Sequence, residues 1–420
     1  MLNICISGIS SNSGKTILTT ALLYHFKEIA RGFKIGPDFI DPQFHKIITK
    51  RDSINLDSFI MNTDQVKWIF NHYKNDINIL EGVMGFYDGE DRGCSSYSVS
   101  KLLNIPTILI IDGSGSYITI SAILKGLLEY KKDNTIRGVV LNNLSSSAHY
   151  ELIKKQILQD HPNILIFGWI KKELESLDNI HLGLDLNDLN KIKSISNSVL
   201  ENIDISLFNN FIQTSDKNKL NKEYPFDILP KQNKHLCIIN DQNFSFLYYD
   251  NVIFFKEIFS KVTIIDSTRD ETIPKNADVV FISGGYVETK QSYEKVKDSN
   301  KFKNSLINHA KTKSIYGECA GLLYLGNKVD SKKMSGILDI NFTLSKKRVR
   351  LGYYYDCSGR KGHAFHYTKS VNLNNGFCKL SKQLKGSGDV ASWKTNKVYG
   401  TYFHTMFRTN IDLVKKYFLD

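Results

Sequence analysis

The sequence predicts an α/β protein made of two doubly wound domains. Three observations carry that expectation. Short β-branched runs alternate with amphipathic stretches of helix length in both halves of the chain. Glycine-rich turns follow strand candidates directly in each half, as at the ligand-binding edges of open α/β sheets. A polar stretch rich in Asn, Lys, Ser and Asp (188–234) separates the two series.

In chain order, the first half offers strands at Asn3–Ser7, Gly32–Gly36, Ile77–Glu81, Thr107–Asp112, Gly138–Asn142 and Ile164–Gly168. A helix over Lys15–Ala30 places Ile17, Leu18, Ala21, Leu22 and Phe26 at helical spacing. A short helix and an exposed linker around Thr214–Lys222 mark the expected boundary. The expected division is therefore a first domain over 1–200, a linker over 201–234 and a second domain over 235–420. The second series has strands at Leu236–Asn240, Val262–Asp266, Val279–Ser283 and Ser314–Tyr316, with helices at Phe244–Phe259 and Phe302–Lys311.

Composition excludes several classes. With 420 residues, 41% hydrophobic and 23% charged, the chain is too apolar for disorder and too long for one ordinary core. No apolar run approaches the ~20 residues that span a bilayer, and the start MLNICISGIS lacks the basic region and cleavage site of a signal peptide. A cytoplasmic protein without membrane partners is expected. The six cysteines, at 5, 94, 237, 319, 357 and 378, contain no CxxC pair. No disulfide framework is expected, and all but Cys319 read as core thiols. The net charge of +12 favours an anionic partner. Its lysines are scattered and no nucleic-acid motif appears, so a small polyanion is expected rather than nucleic acid.

The first chemistry lies at Gly8-Ile-Ser-Ser-Asn-Ser-Gly14-Lys15-Thr16, between a strand and a helix. Such a loop wraps backbone N–H groups around a phosphate at the positive end of the helix. Gly8, Ser13 and Gly14 shape the loop, Lys15 reaches the β- and γ-phosphates of ATP, and the Thr16 hydroxyl holds Mg²⁺. The usual pattern has glycine at position 9, where Ile9 stands. Glu81, delivered by the apolar strand Ile77–Leu80, belongs beside the same Mg²⁺. Asp38 and Asp41, held between Pro37 and Pro42, form an acidic loop that would assist Mg²⁺ or orient substrate; a plain Asp-Pro turn fits the residues equally well.

The second chemistry lies at Gly317-Glu-Cys319-Ala-Gly321, a strand-to-helix turn whose flanking glycines permit an exposed nucleophile. Gly284 and Gly285 supply free N–H groups for an oxyanion, and His404 follows late in the chain as a base for Cys319. His363 and His366 have an i, i+3 spacing that suggests a metal, but on a strand they face opposite ways.

With both sites in view, the chain resembles the corrin a,c-diamide synthases, which act on cobyrinate, hydrogenobyrinate or Ni-sirohydrochlorin. The resemblance covers nearly the full length. It rests on GISSNSGKT, KIGPDFIDPQFH, NLDSFIM, EGVMGFYDG, the YYDN at Tyr248–Asn251, SGGYVE, YGECAGLLYL, LGY, GHAFHYT and GTYFH. The resemblance also accounts for the shifted loop glycine, since the family shares a G-x5-GKT loop with dethiobiotin synthetase. It implies a P-loop domain of the dethiobiotin-synthetase type followed by a class I glutamine amidotransferase-like domain. It further implies Cys319 as nucleophile, His404 as base, Gly284 and Gly285 as the oxyanion turn, and Lys15, Thr16 and Glu81 at ATP and Mg²⁺. Asp38 and Asp41 would lie near ATP and a tetrapyrrole carboxylate.

Departures from the family pattern are Val287 for Pro, Ala320 for Gly and Ala364 for Glu. Met406 stands two residues after His404, where class I amidotransferases carry Glu, so the resemblance implies a Cys–His pair and a weaker glutaminase. The implied reaction is ATP- and glutamine-dependent amidation of the a and c acetates of cobyrinate in cobalamin biosynthesis, through an acyl phosphate. Its partners are small molecules: ATP, glutamine and a polycarboxylate tetrapyrrole. The central metal and the oligomeric state, a homodimer included, stay open. The non-enzyme alternative is a P-loop NTPase regulator or metallocofactor chaperone with an inactive amidotransferase-like domain.

Overall fold

Seven residues of uninterrupted burial make β1 (Leu2–Gly8) a central strand, covered on both faces as a parallel sheet requires. The computed structural model describes residues 1–172, 189–211, 223–371 and 376–420. Contacts divide the chain into two units, Met1–Pro225 and Phe226–Asp420.

In the first unit β1 is followed by α1 (Lys15–His25), β2 (Ala30–Ile35), α2 (Ile40–Thr49), β3 (Ile54–Leu56), α3 (Thr63–Tyr73) and β4 (Ile77–Glu81). Then come α4 (Ser96–Leu103), β5 (Thr107–Asp112), α5 (Ile118–Tyr130), β6 (Ile136–Leu144), α6 (Ser147–Asp160), β7 (Leu165–Lys171) and α7 (Leu189–Leu200). The strands form one sheet in the order β3-β2-β4-β1-β5-β6-β7. Every pair in it is parallel, so all carboxyl ends share one edge. In that register Glu81 lies opposite Ile6 on one side and Lys34 on the other.

All six strands expected in this half are present. The three-residue β3 was not anticipated, being too short to show alternation. Helix α1 stops at His25, not Ala30, because Phe26 and Ile29 turn the chain into β2; the Phe26 N–H closes the last turn on the Leu22 carbonyl. In α7, Ile192, Ile195 and Val199 form the buried stripe that packs on α1. Residues 201–211, read from sequence as the start of the linker, carry Ile203 and Phe208 into the same core. The Thr214–Lys222 segment lies outside the described residues.

The second unit contains β8 (Gln232–Ile239), α8 (Tyr249–Ile258), β9 (Phe259–Ile265), β10 (Val279–Ile282), α9 (Lys290–Val296), α10 (Asn300–Ala310), β11 (Ser314–Glu318) and α11 (Ala320–Leu325). Short strands β12 (Lys328–Val329), β13 (Lys332–Lys333), β14 (Asn341–Leu344), β15 (Arg350–Tyr355), β16 (Lys361–His366) and β17 (Thr368–Ser370) follow. The chain closes with β18 (Gly376–Leu380), β19 (Asp389–Thr395), β20 (Val398–Thr401) and α12 (Ile411–Val414). The main sheet runs β18-β19-β20-β11-β10-β8-β9. It is parallel from β9 to β20, and β19 and β18 extend it antiparallel. The parallel part is the expected doubly wound core, and β11 is the middle strand of the seven-stranded sheet.

One expectation is overturned. Cys357 and Cys378 form a disulfide, with Cα atoms 5.4 Å apart, and Cys357 sits at the surface. They stand 21 residues apart on separate strands or turns, so their proximity is a product of tertiary folding. Cys5, Cys94 and Cys237 are buried outside any disulfide, and burial pushes Cys5 and Cys237 up to about 12, so these two are inert core residues.

Candidate functional sites

At the carboxyl edge of the first sheet, β1 ends on Gly8 and the loop re-enters α1 through Gly14 at φ +102°. A side chain at Gly8 would fall 2.0 Å from Ser13 Oγ, and one at Gly14 would fall 2.4 Å from Asn142 Nδ2. Both glycines are thus required by close approach, and Gly14 by its backbone as well. Asn142 donates to the Ser13 carbonyl at 2.9 Å, and Ser13 Oγ donates to the Ser10 carbonyl at 3.0 Å, tying the loop into a ring.

Lys15 is buried and folds back so that Nζ donates to the Ser10 carbonyl at 2.7 Å. Burial and the neighbouring Lys34 lower its pKa to about 8, against the pull of Glu81, Asp41 and Asp88. An anion entering the loop would remove that strain. Thr16 Oγ1 donates to Glu81 Oε1 at 2.7 Å. These two oxygens fit a hard cation that keeps most of its shell for water and phosphate, the manner in which Mg²⁺ is held. A cavity of about 480 Å³ opens over Lys15, Thr16, Lys34, Asp38, Asp41 and Glu81.

The structure adds two residues that sequence reasoning missed. Lys34 Nζ reaches Asp41 Oδ2 at 2.5 Å, Glu81 Oε1 at 3.3 Å and the Gly82 carbonyl at 3.0 Å. Fully buried His45 holds the other Glu81 oxygen through Nε2 at 2.9 Å and meets Ser53 Oγ through Nδ1 at 2.9 Å. The strand-end position of Lys34 beside Pro37-Asp38 was the available signal. His45 gave none, because only the packing of α2 on β2 brings it to Glu81.

The two aspartates separate electrostatically. Burial and the Asp41 charge raise Asp38 above the usual carboxylate range, while its oxygens accept from the Ile40 and Asp41 N–H groups. Burial opposes ionisation of Asp41, yet Lys34 overrides it and holds Asp41 well below the usual carboxylate range. One loop therefore holds two carboxyls whose surroundings push them in opposite directions.

In the second unit, β11 ends at Glu318 and Cys319 turns the chain at φ 48°, ψ −102° into α11. A side chain at Gly321 would fall 2.4 Å from the Ile282 carbonyl, and one at Gly317 would fall 2.7 Å from Leu325 Cδ1. Both glycines of the elbow are needed for that approach. The Cys319 N–H donates to the Thr401 carbonyl at 2.7 Å, fixing the turn to β20.

The Cys319 thiol is buried and pushed up chiefly by burial and by the Glu288 charge. The Ala320 and Gly285 backbone N–H groups pull it down. Those two amides are the donors that an oxyanion beside the sulfur would meet. Gly285 must lack a side chain because one would fall 2.0 Å from the Asn243 carbonyl. Gly284 must lack one because it would fall 2.4 Å from His404 Cε1. The imidazole thus presses against the same turn that serves the sulfur.

His404 follows β20, and its backbone bridges to His363 on β16 in both directions, at 2.8 and 2.9 Å. Its Nδ1 lies 3.0 Å from Glu318 Oε2. The His363 ring stacks on it with centroids 5.0 Å apart, and His363 Nε2 meets the Tyr248 hydroxyl at 2.7 Å. His366 faces the other way, onto Tyr402 and Arg350. Ala320, Val287, Ala364 and Met406 are all buried.

Residues 235–411 match the model of the CobB/CobQ-like glutamine amidotransferase domain. Full-length relatives carry the name cobyrinate a,c-diamide synthase. The one from Methanococcus maripaludis is 33% identical, over 96% of this chain and 96% of its own. That from Fusobacterium nucleatum is 32% identical over 98% and 99%, and that from Clostridium acetobutylicum 32% over 99% and 99%. The similarity thus spans both units and both sites, and the chain belongs to the cobyrinate a,c-diamide synthase family.

Proposed function

We propose that this protein amidates the a and c acetate carboxylates of cobyrinate, using ATP and the side-chain amide of glutamine. The observation that carries the reading is the pairing, on one chain, of a phosphate loop whose Thr16 meets Glu81 with a cysteine elbow whose glycine turn accommodates His404. Family membership supports the substrate, and the cluster at Lys15, Lys34, Asp38 and Asp41 supports a polyanionic one. A regulator with a dead second unit has no use for an elbow at φ 48° facing two backbone donors.

In the first unit, the loop amides and Lys15 receive the polyphosphate, and Lys15 follows the charge that builds on the γ-phosphoryl oxygens. Thr16 and Glu81 would hold Mg²⁺, which when bound would neutralise charge on the polyphosphate. The substrate carboxylate oxygen attacks the γ-phosphorus and ADP leaves, giving an acyl phosphate. Ammonia then attacks the carbonyl carbon, phosphate departs and the amide remains. Asp41, paired with Lys34, and Asp38 beside it would orient the substrate and accept a proton from the attacking nitrogen.

In the second unit, His404 takes the Cys319 proton and the sulfur attacks the glutamine carbonyl. The oxyanion receives the Gly285 and Ala320 N–H groups. His404 returns the proton to the leaving nitrogen, the C–N bond breaks and ammonia is freed. Water hydrolyses the thioester to glutamate. A cytoplasmic site of action follows from the ATP and glutamine it consumes.

The test is isotopic. With cobyrinate, ATP, Mg²⁺ and glutamine carrying heavy nitrogen in its side-chain amide, the diamide is expected to carry the label at both new amides. Unlabelled diamide, or none, contradicts the proposal; product from Ni-sirohydrochlorin or hydrogenobyrinate instead would correct the substrate and keep the chemistry.

A further inference from the structure

We infer that Glu318 is the positioning residue of the glutamine site, fixing the tautomer and orientation of His404 from the position directly before the nucleophile. The inference rests on the reading of Cys319 and His404 given above. A Cys–His pair works only if the imidazole offers a bare nitrogen to the thiol, and a carboxylate on the opposite nitrogen enforces that state. The position two residues after His404 is occupied by buried Met406, which has no charge to offer.

The fold supplies the carboxylate from elsewhere. Strand β11 pairs in parallel with β20, and Glu318 stands opposite Thr401, three residues before His404. Side chains alternate along a strand, so the turn that exposes Cys319 leaves Glu318 on the side the histidine occupies. Glu318 Oε2 lies 3.0 Å from His404 Nδ1, with the two residues 2% and 1% exposed. A buried carboxylate beside a buried imidazole accepts its Nδ1 proton, leaving Nε2 as the acceptor.

The geometry of the other nitrogen agrees. A Cβ at Gly284 would lie 2.4 Å from His404 Cε1 and 3.3 Å from Nε2, so the Nε2 edge is turned towards the glycine pair whose Gly285 amide serves Cys319. The second histidine does not compete. His363 is fully buried and kept neutral, and its Nε2 is engaged by Tyr248. Glu318 Oε1 has no hydrogen-bond partner among the described residues, so His404 is the one group that repays the burial of this carboxylate.

The test uses the full chain with ATP, Mg²⁺ and cobyrinate, and follows glutamate release with glutamine and amidation with ammonium chloride. Glu318→Gln is expected to lower the glutamine-driven kcat by about 10²- to 10⁴-fold, the range for an orienting carboxylate turned into an amide. The KM for glutamine should stay within about twofold, and ammonia-driven amidation should hold its wild-type rate. Because Glu318 acts only through His404, adding Glu318→Gln to His404→Ala should cost nothing more. Retention of the glutamine-driven kcat in Glu318→Gln, or losses that multiply in the double variant, overturns the inference. If Glu318→Gln fails to melt cooperatively, Glu318→Ala is measured with and without formate: a formate-dependent return of rate supports the inference and no return overturns it. Should Cys319→Ala and His404→Ala retain glutamine-driven turnover, the reading of the whole site falls, and Glu318 with it.

Discussion

Single residues decide the chemistry at both sites, and they differ in how far their partners lie along the chain. The loop from Gly8 to Thr16 is complete within nine positions, so its shape was readable from order and spacing alone. Glu81 was readable because an apolar strand delivers it to the same sheet edge. Its partners Lys34 and His45 were not, since strand register and helix packing make those contacts. The same holds for Glu318 and His404, which meet across 86 residues. At this scale the account predicts that Lys15→Ala lowers glutamine-driven and ammonia-driven amidation alike, by about 10²- to 10³-fold, the cost of one preorganised donor. Steady-state rates with each nitrogen source check it, and an intact ammonia-driven rate contradicts the assignment.

At the level of elements, long β-branched strands were legible and short or capped ones were not. Ile77–Glu81 and Thr107–Asp112 coincide with their expected limits, whereas β3, at three residues, is set by its neighbour β2. Helix α8 begins at Tyr249, later than the expected Phe244, because the chain first pairs Phe246 with Gly284. Strand β16 carries a consequence of its own: it buries His363 and His366 as neutral imidazoles, with burial pushing His366 down to about 3. The unfolded chain binds those protons near pH 6.5, so for His366 it holds more of the proton than the fold does between about 6.5 and 3, and His363 acts in the same direction. Stability is therefore lost as pH falls through that window, by up to about 1.4 kcal/mol per pH unit for each group. Urea unfolding at a series of pH values should show the decline, and His366→Gln should flatten it. A midpoint unchanged from neutral pH to pH ~4.5 would contradict the buried neutral state.

For the whole molecule, two sheets present two candidate sites at strand ends, a cavity lined by Lys15, Lys34 and Glu81 and a cysteine elbow after β11. The two-sheet plan was legible because each half repeats the strand–helix alternation. The antiparallel β18–β19 extension and the Cys357–Cys378 bridge were not, since β18 is short and irregularly paired and the two cysteines meet only in the folded chain. We propose that the second unit supplies ammonia to the first. The measurement that tests it most directly is phosphate release from ATP with cobyrinate, in wild type and Cys319→Ala, with glutamine and then with ammonium chloride. The account predicts that the variant loses glutamine-driven turnover and keeps ammonia-driven turnover. Full glutamine-driven turnover in Cys319→Ala would contradict it.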